Sequence, residues 1–339
     1  MPESVAAVVV TYNRKDLLRR SLDAVLAQTR PAKEIVVVDN ASGDGTRDML
    51  EREYGDRVSR IHMLHNVGSA GGFFTGMKWA KDCGMDWIWL MDDDGIPAAN
   101  CLEKLMGEGR TNTLDIINPL VVEIDNPECL AFRLKLGREV VASVPRLREI
   151  VSGSLVENEI NPWNGTLIRA ASVDVIGEIK AEMFIWGEEV EYWRRALRHK
   201  LRVATALDAE FRHPPARAQT VHVRELGTFT VPNPSRAPIY YRNTGYLLAR
   251  ESGYFYAFGK GFSYLLFFSS RRLWEQVVPF VTYYLDGMLN RYSLAPTRSS
   301  LFEQLRQYEV ITRSEGSACV RSNLIKGQVN ENVPTDLTQ

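Results

Sequence analysis

Residues 5–10 (VAAVVV) form a continuous apolar run that stops at Thr11, Tyr12 and Asn13, after which Leu17, Leu18, Leu22, Val25 and Leu26 recur at helical spacing. The pattern predicts a strand, a polar turn and an amphipathic helix. A second run, 34–39 (EIVVVD), ends in Asn40, Ala41, Ser42, Gly43 and Asp44, so another polar loop follows the carboxyl end of a strand. A helix over about 46–54, a strand around 60–64, a Gly-rich segment, a helix over about 76–83 and a strand at 87–91 continue the series. Strands alternating with helices predict an α/β fold with a parallel sheet, and such sheets bind ligands outside their strand carboxyl ends.

Beyond Asp94 the alternation weakens. Short strands at 116–123 and 139–144, one helix near 188–199 and a strand-like stretch over 202–211 are expected to complete the sheet and shape a second pocket. From about 238 the texture changes to long aromatic helical patterns at 240–251, 255–269 and 273–289, and the end of the chain turns polar. The division read from this is a core over 1–230, a helical extension over 231–310 and a polar tail over 311–339.

Composition narrows the function classes. The 339 residues are 45% apolar, which suits one large core with an appendage and excludes a disordered or fibrous chain. Lys and Arg total 41 against 42 acids, so no global basic field exists for nucleic acid and any polyanion site must be local. Four cysteines at long spacings form neither a metal knuckle nor a dense disulfide framework, a pattern that fits a reducing cytoplasm. The opening MPESVAAVVVTYNRK lacks the features of a signal peptide. The stretch 253–268 is interrupted by Lys260 and falls short of the roughly twenty apolar residues a spanning helix needs.

Asp92, Asp93 and Asp94 directly follow the apolar strand 87–91, and three adjacent carboxylates repel one another unless a cation or donors neutralise them. Asp92 and Asp94 could share one hard divalent ion; the plainer alternative is a solvated acidic turn. Asp39 ends the second strand, where an acid can accept hydrogen bonds from a nucleobase or ribose, or simply form a turn. The loop 66–73 (NVGSAGGF) lets backbone approach a ligand but contains no GxGxxG pattern. Glu188 and Glu189 follow an aromatic Gly turn, and His213 precedes a proline pair; a helix-dipole role and a structural role are their respective alternatives.

In order, VVVTYNR (8–14), EIVVVDNASGDGT (34–46), NVGSAGGF (66–73), WIWLMDDDG (87–95), WNGTLI (163–168), FIWGEEVEY (184–192) and FRHP (211–214) resemble the family-2 inverting glycosyltransferases of the GT-A fold. The resemblance covers about residues 4–215. It implies a Rossmann-like, mostly parallel sheet flanked by helices and a nucleotide-sugar donor held by Thr11, Tyr12, Arg14, Asp39, Asn66, Gly71, Gly72, Asp92 and Asp93. It further implies Mn²⁺ or Mg²⁺ held by Asp92, Asp94 and His213, and Glu189 as general base, a position that is usually aspartate, with Glu188 as the alternative. Trp163, Asn164 and Trp186 are sugar or acceptor contacts by this reading, with core packing as the alternative for the tryptophans.

The branch resembled is the one transferring galactofuranose from its uridine diphosphate donor, with dTDP-rhamnose-dependent transferases as the competing reading. A nucleotidyltransferase would carry a basic Gly-rich loop that TYNRKD lacks, and a non-catalytic nucleotide-sugar or glycan-binding module is the rival from another class. The resemblance implies a glycan or lipid-linked glycan acceptor, with the enzyme at the cytoplasmic face of the membrane. The aromatic region 240–292 would then touch the membrane, pack between protomers of a homo-oligomer, or form an ordinary helical layer.

Overall fold

A computed structural model describes residues 3–215, 220–223, 227–230, 232–292 and 298–312. The first half runs β1 (Val5–Thr11), α1 (Lys15–Leu26), β2 (Glu34–Asp39), α2 (Thr46–Met49, continued by a wider turn at Leu50–Tyr54), β3 (Ser59–Met63), α3 (Gly68–Asp82) and β4 (Trp87–Asp92). Then come β5 (Ile96–Pro97), α4 (Cys101–Thr111), β6 (Ile116–Glu123), β7 (Cys129–Leu136), β8 (Glu139–Ser143), α5 (Val144–Ile150) and β9 (Leu155–Glu157). β10 (Asn164–Arg169), α6 (Ala170–Ile176), α7 (Glu188–Arg198) and β11 (Val203–His213) close the core. A hairpin, β12 (Thr220–Val223) and β13 (Gly227–Thr230), leads to α8 (Ala237–Glu251), α9 (Tyr254–Ser270), α10 (Val277–Met288), α11 (Arg298–Leu305) and β14 (Tyr308–Ile311).

The central sheet has the order β14-β3-β2-β1-β4-β10-β6-β11-β5. β1 pairs in parallel with β2 and β4, and β2 with β3; β10 opposes both β4 and β6, and β6 runs parallel to β11. From β3 to β11 only β10 therefore points the other way, so the α/β fold with a mostly parallel sheet expected from the sequence is observed. Burial explains the uninterrupted apolar run of β1. Ala6, Val8 and Val10 enter the core on one face of the sheet, and Val5, Ala7 and Val9 enter the core on the other.

The structure departs from the sequence reading in two places: α4, α5 and α6 stand beside α7 between 95 and 217, where one helix is expected, and α3 has a different start. α3 begins at Gly68, not near 76, and absorbs the Gly-rich segment. Its glycines are packing surfaces, because a Cβ on Gly72 would lie 2.5 Å from Val10 Cγ1 and one on Gly76 would lie 2.3 Å from Val8 Cγ1. The helix thus rests directly on β1, a contact a larger residue would prop apart.

The helical patterns after 238 are present as α8, α9 and α10, joined by a third core rich in aromatics: Phe229, Tyr241, Tyr264, Phe267, Phe268, Phe280 and Tyr284. Phe229 of the hairpin stacks on Phe267 at 4.6 Å, tying β13 to this layer. β14 then returns to pair antiparallel with β3 at the edge of the central sheet. Most of the tail, 313–339, lies outside the described residues.

Candidate active site

A cleft of about 630 Å³ opens over the carboxyl ends of β1 and β4, and the start of α7 faces it. Its lining includes Thr11, Tyr12, Arg14, Asn66, Asp92, Asp93, Asp94 and His213 from the core and Arg236 and Ile239 from the helical layer. The position is the one expected of an open parallel sheet.

The three aspartates have different partners. Asp92 closes β4, and its amide donates to the Trp163 carbonyl at 3.1 Å. Asp93 is 3% exposed, and its carboxylate accepts from Thr11 Oγ1 at 2.7 Å and from Arg14 Nη1 at 3.1 Å. Asp94 accepts from the same Arg14 nitrogen at 2.9 Å and lies 3.1 Å from His213 Nε2.

Their electrostatics follow from those partners. Burial, then the charges of Asp94 and Asp93, push the Asp92 carboxyl well above its ordinary range, with Glu189 adding to the effect. Burial likewise raises Asp93 to about 6 against the pull of Thr11 and Arg14. For Asp94 burial acts upward too, but the His213 ring and Arg14 outweigh it and hold the carboxyl below the ordinary range. One arginine and one histidine thus face three acids, and a further cation is favoured there.

Asp94 and His213 supply one oxygen and one nitrogen at contact distance, and Asp92 stands next to them unneutralised. Among the described residues no three His, Cys, Asp or Glu side chains form a preformed metal cage. The donor set therefore fits a hard cation that shares its shell with a ligand's phosphate oxygens.

Across the cleft, α7 opens with Glu188 and Glu189 after Gly187. Glu188 is 2% exposed, and its Oε1 accepts from Ser69 Oγ at 2.6 Å. Burial, followed by the charge of Glu189, raises its carboxyl well above the ordinary range. Glu189 is the more open of the two, and its Oε2 accepts from the Gly187 amide at 2.7 Å.

The turn before these acids is unusual. Phe184 and Trp186 both have φ of 65° and Gly187 has 100°, a left-handed stretch that non-glycine residues rarely adopt. It is held from two sides. The amide of Ala70 in α3 donates to the Phe184 carbonyl at 3.1 Å, and Gly68 permits this approach because a Cβ there would lie 2.0 Å from that oxygen. From α8, Asn243 Nδ2 reaches the carbonyls of Met183 at 2.8 Å, Ile185 at 3.0 Å and Trp186 at 2.8 Å, while Arg242 Nη2 donates to the Glu182 carbonyl at 3.0 Å.

This site sits in a sequence that matches the model of glycosyl transferase family 2 over residues 6–137. The chain is also 36% identical over 256 residues to galactofuranosyltransferase GlfT1 of Mycolicibacterium smegmatis, covering 73% of this chain and 84% of that one. The chain belongs to glycosyl transferase family 2. It is a glycosyltransferase, and the solved structures it resembles agree in fold. Staphylococcus aureus TarS matches with a TM-score of 0.52 at 16% identity over 73% of this chain, which spans 39% of TarS. GalNAc-T7, solved with UDP, GalNAc and Mn²⁺, gives 0.52 at 13% identity over 72% of this chain and 48% of that one.

Within this family-2 enzyme the cleft gathers Thr11, Tyr12, Arg14, Asn66, Asp92, Asp93, Asp94, Trp163, Asn164, Trp186, Glu188, Glu189 and His213 from the residues singled out in the sequence. Three others lie elsewhere. Asp39 does not line the cleft; it is 3% exposed and bound to the Ser42 amide and to His62 Nδ1, each within 3.1 Å. Gly71 and Gly72, expected to approach the donor, face Val67 and Val10 inside the molecule, because the close seating of α3 uses their missing side chains.

Of the aromatic candidates, Trp163 is core: it is 3% exposed, with its ring 5.2 Å from Phe73 and 5.6 Å from Tyr192. Trp186 is half-buried between Tyr240 and the Arg236 guanidinium. Asn164 Nδ2 donates to the Pro162 carbonyl at 3.0 Å, and its Oδ1 has no hydrogen-bond partner among the described residues. The sequence reading missed Ser69, Asn40, Asn243 and Arg236. Ser69 and Asn40 lie inside the quoted NVGSAGGF and EIVVVDNASGDGT motifs, and Asn243 ends the segment 240–243, which resembles the helical extension of related sugar transferases; no local pattern marks Arg236.

Proposed function

We propose that this glycosyltransferase transfers galactofuranose from UDP-galactofuranose, with inversion, to a hydroxyl of a glycan or lipid-linked glycan. The observation that carries the reading is the facing of two acidic groups across one cleft, Asp92 to Asp94 at the end of β4 and Glu188 with Glu189 at the start of α7. The match to GlfT1 over most of both chains supports the choice of sugar.

Glu189, the more open carboxylate, takes the acceptor hydroxyl proton as that oxygen attacks the anomeric carbon. The bond from that carbon to the donor diphosphate breaks on the opposite side, so one displacement inverts the centre. Glu188 stands beside it with its own carboxyl anchored by Ser69 Oγ, so the two acids are presented together at the start of α7. Arg14 orients Asp93 and Asp94 toward the diphosphate side. Asp92, Asp94 and His213 would hold Mn²⁺ or Mg²⁺, which when bound offsets charge on the departing nucleoside diphosphate.

The test is a panel of UDP- and dTDP-sugars, scored by nucleoside diphosphate release in the presence of a membrane extract that supplies lipid-linked glycan. Selective turnover of UDP-galactofuranose is expected. Turnover of dTDP-rhamnose alone would overturn the donor assignment, and binding of donors without turnover would leave a binding module.

A further inference from the structure

Eleven of the exposed large hydrophobic side chains lie between Tyr254 and Leu289, so the apolar surface is concentrated on α9 and α10 and not scattered over the molecule. On α9, Phe255, Phe258, Phe262 and Leu266 are 95%, 59%, 62% and 41% exposed. Their intervals of three and four residues place them in one stripe along the helix, about 17 Å long at 1.5 Å per residue. The opposite stripe, Ala257, Tyr264, Phe267 and Phe268, is buried in the aromatic core. Val278, Val281, Leu285 and Leu289 repeat the pattern on α10.

Along α9 and the turn after it the charge has one sign, with Glu251 and Glu275 flanking the stretch. No acidic residue stands between Glu251 and Glu275, and the exposed pair Arg271 and Arg272 follows the carboxyl end of α9. A second copy of the chain would bring the same arginines and no carboxylate from this stretch to meet them. A bilayer containing anionic lipid supplies both an apolar layer for the phenylalanines and negative headgroups for the arginines.

We propose that the outer face of α9 lies on the surface of an anionic membrane, with Phe255, Phe258 and Phe262 in the acyl boundary and Arg271 and Arg272 against the headgroups. No helix of the described residues is long and apolar enough to cross a membrane, and the contact runs along the interface plane. α8, which carries the cleft residue Ile239, packs with α9 in the same aromatic core.

The experiment is flotation of the full-length protein with vesicles of phosphatidylcholine alone and of phosphatidylcholine with roughly one third phosphatidylglycerol. No donor is present, so the result is independent of the transfer reaction. The protein is expected to float with the anionic vesicles. Replacing Phe255, Phe258 and Phe262 together by serine should lower the partition coefficient about tenfold or more without lowering the melting temperature. Arg271→Glu with Arg272→Glu should abolish the preference for phosphatidylglycerol. Failure of the wild-type protein to float, unchanged partitioning of either variant, or conversion of a dimer to a monomer by the serine variant without loss of flotation would overturn the proposal.

Discussion

Asn243 Nδ2 donates to the carbonyl oxygen of Trp186 at 2.8 Å, and through the same amide α8 holds the left-handed turn that delivers Glu188 and Glu189 to the cleft. The helical layer is therefore part of the site's framework. Asn243→Asp keeps the shape of the side chain but turns its donor nitrogen into an oxygen facing three carbonyls. The expected result is a kcat about a hundredfold lower with the donor KM within about threefold, because misplacing a reacting group by an ångström costs that much. Equal losses in kcat and 1/KM, in a variant that melts like the wild type, would point to a donor-binding role instead.

Two glycines with opposite surroundings test the seating of α3. At Gly72 a Cβ would meet Val10 Cγ1 at 2.5 Å, so Gly72→Ala is expected to destabilise the fold by about 1–3 kcal/mol. Gly107, inside α4, has nothing within 4 Å of such a Cβ, and Gly107→Ala should stabilise by about 0.5–1 kcal/mol. Urea denaturation of both variants checks the contrast.

The difference between those glycines also shows what the sequence could convey. β2 matches its sequence boundaries because a strand buried on both faces reads as an unbroken apolar run, and β6 matches although Asn118 and Pro119 interrupt its run. The amino-terminal half of α3 was illegible, because glycine signals a loop by propensity and only the neighbouring β1 reveals that it serves packing. Asp92 to Asp94 stood out because acids after an apolar strand are locally anomalous. Asn243 and Ser69 did not, since their partners lie 57 and 119 residues away.

Glu188 gives a pH dependence of known sign. Burial and the Glu189 charge raise its folded pKa above the ordinary 4.5, so above pH 4.5 the folded chain holds a proton that the unfolded chain has released. The unfolded state then binds fewer protons, and this carboxyl makes stability fall as pH rises from 4.5 toward its raised pKa. Glu188→Gln removes that slope. Its melting temperature should gain on the wild type as the pH rises above the ordinary carboxylate range; parallel curves would show that Glu188 is not the buried acid responsible.

Arg14 bridges Asp93 and Asp94 with one nitrogen. Arg14→Ala removes the guanidinium that Asp93 and Asp94 share, and donor affinity is expected to fall about tenfold or more. Added Mn²⁺ should recover part of the loss by neutralising the same carboxylates. Calorimetric titration of UDP with and without the metal reads both effects, and an unchanged dissociation constant would remove Arg14 from the donor site.

The central claim is that the acid at the start of α7 activates the acceptor while the aspartates of β4 serve the donor. Its most direct measurement is transfer from UDP-galactofuranose by Glu189→Gln beside the donor dissociation constant of the same variant. Transfer should fall at least about a hundredfold, in line with the loss of a general base, while the dissociation constant stays within about threefold of the wild type. Undiminished transfer, or a parallel loss of donor affinity, would contradict it.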